Sequence, residues 1–240
     1  MVSVSLLVLE DDDGIRESLS MALEDEGYVT TCHESAEAAL QDRGALGVDL
    51  MLVDLMLGGM DGFAFIREVR RMTDVPIIVL SAKADTHDIV AALEAGADDY
   101  VTKPFEIKEV SARLRALRRR PPVRPLVQVD SAPVDGQLQV LDSAHGPLVL
   151  DGAAGVLRRG DNPVHLTVTE FRLLCEMADA RGHVLSRRAL LERVWDHGYF
   201  GDERIVDVHV RRLRTKIEVD AAQPTLLVTV RGLGYRLDPV

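Results

Sequence analysis

Aromatic side chains are scarce in this sequence: one Trp, four Tyr and five Phe among 240 residues. Its core must therefore be built from Leu, Val, Ile and Ala. Cysteine is scarcer still. Cys32 and Cys175 lie far apart, which excludes a disulfide framework and a cysteine metal cluster and fits a reducing cytoplasm. No apolar run approaches the roughly 20 residues of a membrane span. Met1-Val2-Ser3-Val4-Ser5 lacks the basic segment and long apolar stretch of a secretory signal. A cytoplasmic protein with no membrane partner is expected. What is present suits a packed core: 47% of residues are apolar and 28% charged, which argues against wholesale disorder. A length of 240 residues fits one large domain or two of ordinary size.

Net charge is −11, which alone argues against nucleic-acid binding. Its distribution reverses that reading. Residues 1–110 carry 23 Asp/Glu against 8 Lys/Arg, a net of −15, whereas residues 111–240 carry 16 against 20, a net of +4. An acidic half joined to a mildly basic half suggests two tasks.

The acidic half alternates simply. Apolar runs at 6–9, 50–53 and 77–80 read as strands buried on both faces, and weaker runs at 28–32 and 100–102 supply two more. Helical periodicity fills 14–26, 35–43, 61–71, 86–95 and 106–119; in the last, Ile107, Val110, Leu114 and Leu117 fall on one stripe. Five strands alternating with five helices predict a doubly wound α/β domain with a five-stranded parallel sheet. Arg118-Arg119-Arg120-Pro121-Pro122 ends it, because the prolines stop the helix. The predicted boundaries are 1–120 for the first domain, 121–146 for a linker with β-like pieces at 126–129 and 138–141, and 147–240 for a second domain. In that second domain, short strands at 148–150, 156–158 and 164–166 precede three helices. The first helix starts at Thr167 or Thr169 with Glu170 in its first turn, the second covers about 186–195, and the third about 203–218. A hairpin over 226–237 closes the chain. This pattern predicts an α+β winged helix-turn-helix.

In open α/β sheets, ligands bind outside the carboxyl ends of the strands. There this sequence places Glu10-Asp11-Asp12-Asp13, Asp54, Ser81-Ala82 and Lys103-Pro104. Clustered carboxylates repel one another unless a cation sits among them, and hard oxygen ligands with room for water favour Mg²⁺. Such a pocket could take a phosphate, with Lys103 as its pair, and Asp54 at the tip of the central strand is the candidate nucleophile. Taken singly, each of these residues reads more readily as ordinary solvated surface, the acids suiting a helix N-terminus; their coincidence at one edge is what points to a site.

Leu7-Val8-Leu9-Glu10-Asp11-Asp12, Leu52-Val53-Asp54-Leu55-Met56-Leu57, Ile78-Val79-Leu80-Ser81-Ala82 and Gly96-Ala97-Asp98-Asp99-Tyr100-Val101-Thr102-Lys103-Pro104-Phe105 resemble receiver domains of two-component response regulators, with their flavodoxin-like fold. Leu166-Thr167-Val168-Thr169-Glu170-Phe171 through Val230-Arg231-Gly232-Leu233-Gly234-Tyr235-Arg236 resembles the DNA-binding domain of the OmpR/PhoB subfamily. The resemblance implies that Asp54 is the phospho-acceptor, served by a sensor histidine kinase, and that Glu10, Asp11, Asp54 and the Met56 carbonyl hold Mg²⁺, with Asp12 adjacent. It implies that Ser81 is the switch hydroxyl, that Tyr100 is the switch aromatic, and that Lys103 pairs with the phosphate and precedes a cis proline. It implies a homodimer, formed on phosphorylation through a face carrying Asp98, Asp99, Glu109, Arg113 and Arg119 or Arg120. Two positions depart from the family pattern. Ile89 stands where a basic residue is usual, which leaves Glu109 without that partner. Gly58 stands where Pro is usual, which should loosen the loop after Asp54.

For double-stranded promoter DNA, the resemblance puts the third helix in the major groove, offering Arg204, His209, Arg211, Arg212 and Arg214. Arg231 would lie at a neighbouring minor groove, with Thr229 and Tyr235 on the backbone. His209 reads equally as a structural residue, and Trp195 as core. The resemblance also makes the loop 196–202 a place where RNA polymerase is a candidate partner. Two other readings stand beside a phosphorylation-controlled transcription factor. One is an Asp-nucleophile phosphohydrolase, disfavoured because Met56 occupies the place of its second Asp. The other is a constitutive DNA binder with a degenerate receiver, disfavoured by the intact set Asp11, Asp54, Ser81 and Lys103. The favoured reading is not a turnover enzyme, beyond loss of its own phosphoryl group.

Overall fold

A computed structural model describes residues 3–42, 44–82, 86–118, 138–142, 146–180, 182–195 and 202–239. The chain divides into two compact units, Met1–Arg118 and Arg119–Val240. No helix among the described residues is long and apolar enough to cross a membrane.

The first unit runs β1 (Val4–Leu9), α1 (Asp13–Asp25), β2 (Tyr28–His33), α2 (Ala36–Gln41), a 3-10 turn (Ala45–Gly47), β3 (Leu50–Asp54), α3 (Gly62–Val69), β4 (Ile77–Ser81), α4 (Thr86–Ala95), β5 (Asp99–Thr102) and α5 (Ile107–Arg118). The sheet order is β2-β1-β3-β4-β5, and every neighbouring pair is parallel. All residues of β3 and β4 are buried, as central strands covered on both faces must be. One core layer joins Leu6, Val8, Leu50, Leu52, Ile78, Leu80 and Val101 of the sheet to Leu19 and Leu23 of α1 and Val110, Leu114 and Leu117 of α5. Each such side chain contributes about 1.5–3 kcal/mol by leaving water. Helix starts are set by short polar caps: the side chains of Asp12, Ser35 and Asp61 accept from the backbone N–H of Ile15, Ala38 and Ala64. Strand order reverses direction between β1 and β3, which opens a crevice at their carboxyl ends.

The second unit opens with an antiparallel sheet in the order β6 (Leu138–Asp142), β7 (Leu148–Asp151), β8 (Val156–Arg159), β9 (Asn162–Pro163). β6 lies inside the stretch 121–146 read as a linker and pairs with β7; the β-like piece at 126–129 falls outside the described residues. The strand expected at 164–166 is absent. Val164 N–H still bonds Leu157 O at 2.8 Å, but the chain then leaves the sheet, because a capping box between Thr167 and Glu170 starts α6 (Val168–Asp179). Thr167, rather than Thr169, is therefore the cap. α7 (Arg187–Val194) and α8 (Arg204–Ile217) follow, then the antiparallel ribbon β10 (Leu227–Val230) and β11 (Gly234–Leu237). The ribbon is stitched to the start of α7 by backbone bonds between Leu185 and Tyr235 in both directions, 2.8 and 2.9 Å. Only glycine fits at 234: a Cβ there would lie 2.0 Å from Leu185 O.

Candidate functional site

The crevice gathers the four strand-end clusters that the sequence placed at one edge. Lys103, just after β5, is the hub. Its Nζ donates to both Glu10 carboxylate oxygens and to Asp54 Oδ2, each at 2.8 Å. Asp54 Oδ1 accepts from Met56 N–H at 3.1 Å, so both acceptor oxygens of Asp54 are engaged. Glu10, Asp54 and Ser81 are buried, while Asp11 and the Met56 side chain are exposed. Lys103 N–H bonds Ser81 O at 2.7 Å, which locks β5's end to β4, and the Lys103–Pro104 peptide is cis.

The electrostatics follow from burial. Glu10 is pushed up to about 7, first by desolvation and then by the neighbouring Asp54, with Lys103 opposing. Lys103 is raised: burial works against its charge, but the bonds to Asp54 and Glu10 outweigh it. One ammonium faces more carboxylate than it neutralises. Carboxylate oxygens of Glu10, Asp11 and Asp54 lie within 4.8 Å of one another, an all-oxygen set with one exposed side, which fits a hard divalent cation such as Mg²⁺. Ser81 ends β4 opposite Thr102, and Tyr100 is a buried residue of β5 opposite Val79.

Sequence reasoning missed the braces of this pocket. Arg16 NH1 donates to Glu10 O at 2.7 Å and to Asp11 O at 3.3 Å, tying the acidic turn to α1. An Arg in the first turn of the helix after an acidic run was the available signal.

The expected dimer face is only partly a surface. Asp98 is fully buried, and its carboxylate accepts from Arg70 NH2 at 2.7 Å and Ile77 N–H at 3.0 Å. Its assignment to an external face is therefore corrected: it joins α3 to β4. Nothing in local spacing points to Arg70, because the contact spans 28 residues. Asp99 is also buried and paired to Arg113 at 3.1 Å, and Arg113 NH2 reaches Glu109 at 2.6 Å. Glu109 thus has an internal partner despite Ile89. Arg119 and Arg120 lie outside the described residues.

On α8, Arg204 and Arg211 are exposed and lie two turns apart on one stripe. Arg231 and Thr229 are exposed on the ribbon. The other expected contacts turn inward. His209 is fully buried, 5.2 Å from the ring of Trp195, so packing replaces its assignment to DNA. Arg212 and Lys216 pair with the buried Glu170 at 3.1 and 2.7 Å. Arg214 donates to Leu227 O and Thr229 Oγ1, holding α8 to β10. Tyr235 is buried; its hydroxyl donates to Asp207 Oδ1 at 2.5 Å and accepts from Arg187 NH2 at 3.2 Å. Arg187 Nε completes the triangle on Asp207 at 2.6 Å. Of the loop 196–202, residues 196–201 lie outside the described residues.

Residues 6–115 match the family described as "Response regulator receiver domain", and residues 161–237 match "Transcriptional regulatory protein, C terminal". The chain is 47% identical over 238 residues to the transcriptional regulatory protein CseB of Streptomyces avermitilis, covering 97% of each. It is 42% identical to the sensory transduction protein RegX3 of Mycobacterium tuberculosis, covering 98% of this chain and 99% of that one. Among solved structures, a mutant of RitR superposes with a TM-score of 0.73 at 26% identity, covering 99% of this chain and 100% of that one. DrrB, a Thermotoga maritima OmpR/PhoB homologue, gives 0.51 at 27% identity, covering 98% and 99%.

Proposed function

Because this chain belongs to the two-component response regulators of the OmpR/PhoB type, a receiver domain followed by a transcriptional regulatory domain, we propose that Asp54 takes a phosphoryl group from a sensor histidine kinase and that this controls promoter binding. The observation that carries the reading is the buried Lys103 ammonium, which bridges Asp54 and Glu10 at 2.8 Å. It is a counter-charge already in place beside Asp54, whose buried carboxylate ends the central strand of the sheet.

In the proposed step, an Asp54 carboxylate oxygen attacks phosphorus. An O–P bond forms as the P–N bond of the donor phosphohistidine breaks; the leaving nitrogen keeps that electron pair, and because the other ring nitrogen of the donor carries a proton, the imidazole leaves neutral. Magnesium, when held by Glu10, Asp11, Asp54 and the Met56 carbonyl, supplies charge neutralisation on the phosphoryl oxygens. Lys103 exchanges its bond to Asp54 for one to a phosphoryl oxygen. Ser81, at the end of the adjacent strand, donates its hydroxyl to another, and Tyr100 follows it as the second switch residue. The added charge of roughly −2 biases the domain towards a conformation that pairs two receivers. Each chain is phosphorylated once, with no turnover of a substrate. Residues 147–240 then read DNA as a pair, with Arg204 and Arg211 towards the major groove and Arg231 towards a flanking minor groove. The intramolecular pairs of Asp99, Arg113 and Glu109 are the charges available for exchange at the dimer face.

The test is labelling by acetyl phosphate with Mg²⁺, read by intact-protein mass, in the wild type and in Asp54→Asn. One added phosphoryl group in the wild type and none in the variant is expected. Full labelling of the variant overturns the assignment, and multiple turnover on phosphoesters would favour the phosphohydrolase reading instead.

A further inference from the structure

The loop after Asp54 contains two consecutive glycines, Gly58 and Gly59, where chain freedom is greatest. Yet this loop begins with Met56, whose N–H bonds Asp54 Oδ1 at 3.1 Å. The ends of the loop are held by backbone bonds, Leu55 N–H to Leu80 O at 3.2 Å and Gly62 N–H to Leu55 O at 3.1 Å. Between them is a tie from another element. Glu37 Oε1, on α2, accepts Met60 N–H at 2.8 Å. Gly59 makes room for that carboxylate: its φ is +83°, and a Cβ there would lie 2.8 Å from Glu37 Oε1. α2 is a firm base for the tie, being capped by Ser35 and packed through the buried Ala36 and Ala39.

We propose that Glu37 is a positioning residue of the phospho-acceptor site: by holding Met60, it fixes the Gly58–Gly59 loop and with it the Met56 carbonyl in the geometry that magnesium requires. This deepens the phosphorylation reading and rests on it. At position 58 the family's usual proline would stiffen the loop covalently. Here a hydrogen bond from a neighbouring helix takes that role. A loop ordered before the ion arrives need not be ordered by it, so affinity is gained without a new ligand.

The test is titration of MgCl₂ alone into the ¹⁵N-labelled full chain, followed through the amide shifts of residues 56–60. Glu37→Ala should weaken apparent Mg²⁺ affinity about fivefold, less than the usual loss of a hydrogen bond to an ionised group because water screens this exposed pair, and speed exchange of the Met60 N–H. Glu37→Gln keeps an acceptor oxygen without the charge and should stay within about twofold of wild type. Adding Gly58→Pro to Glu37→Ala should restore most of the loss, which general damage to α2 would not allow. Wild-type Mg²⁺ affinity in Glu37→Ala overturns the inference, as does failure of the proline to restore it, or a Gln variant as weak as the Ala one. A wild type that binds Mg²⁺ but takes no phosphoryl group at Asp54 sinks the underlying reading instead, and this inference with it.

Discussion

Replacing Tyr235 by Phe separates two roles for the ribbon tyrosine. As a DNA contact, its hydroxyl would matter only in the complex. In the folded chain that hydroxyl is buried, 2.5 Å from Asp207 Oδ1 and 3.2 Å from Arg187 NH2. It closes a triangle that fastens β11 to α8 and α7. A hydrogen bond to an ionised partner contributes about 1.5–3 kcal/mol. Asp207 keeps Arg187 at 2.6 Å in the variant, so the lower half of that range applies, about 2 kcal/mol. For a unit of this size, each kcal/mol moves Tm by about 4 °C, so the second unit should melt about 8 °C lower. The assay is simple because the single tryptophan, Trp195, is buried in that unit. Its fluorescence follows the second unit in the intact protein. Asp207→Asn should cost a similar amount, and the double variant less than the sum, because both changes break one network. The deficit has a pH signature as well. Burial first, and then the bond to Asp207, raise the hydroxyl from 10.0 to about 12. The folded wild type therefore holds that proton more tightly than the unfolded chain, and its advantage is full below pH 10 and fades as pH rises towards 12. An unchanged Tm combined with weakened DNA binding would refute this account and return Tyr235 to the DNA surface.

Asp98→Ala should destabilise the first unit by about 3 kcal/mol, because it leaves Arg70 without its buried carboxylate; urea unfolding measures this, and a variant of wild-type stability that merely fails to dimerise would contradict it. Arg231→Ala should weaken promoter binding and lower the slope of log K against log salt by about one, read by fluorescence anisotropy across salt concentrations; an unchanged slope would remove Arg231 from the phosphate contacts. Burial pushes Glu10 up to about 7 and it must be ionised to hold a metal, so apparent Mg²⁺ affinity should rise with pH through neutrality and level off only above about pH 8. Amide-shift titrations at several pH values check this, and a flat profile would mean that Glu10 is not a direct ligand.

Strand-end chemistry was legible because it is local. Asp54 and Ser81 each end an apolar run and Lys103 follows one closely, and a parallel sheet brings all such ends to one edge whatever the packing details. The α/β alternation was legible for the same reason: the burial of β3 and β4 is written as unbroken apolar runs. The start of α6 was legible to within one turn, as Thr167 or Thr169, because a cap is a short-range hydrogen bond; the structure selects Thr167. Less was readable where a polar side chain chooses between water and a partner far along the chain. His209, Arg212, Arg214 and Tyr235 carry the composition of a DNA surface, and Asp98 that of a dimer surface, yet each faces inward.

Sequence alone therefore determined the order of elements, the edge at which the carboxylates and the lysine meet, and the residue types of the site, because periodicity and chain ends act over a few residues. Tertiary structure alone decided which charges are spent inside. Arg70 reaches Asp98 across 28 residues, Lys216 reaches Glu170 across 46 and Arg187 reaches Tyr235 across 48. Pairings at such separations are set by how helices and strands pack, and a buried charge must find its partner wherever packing puts one.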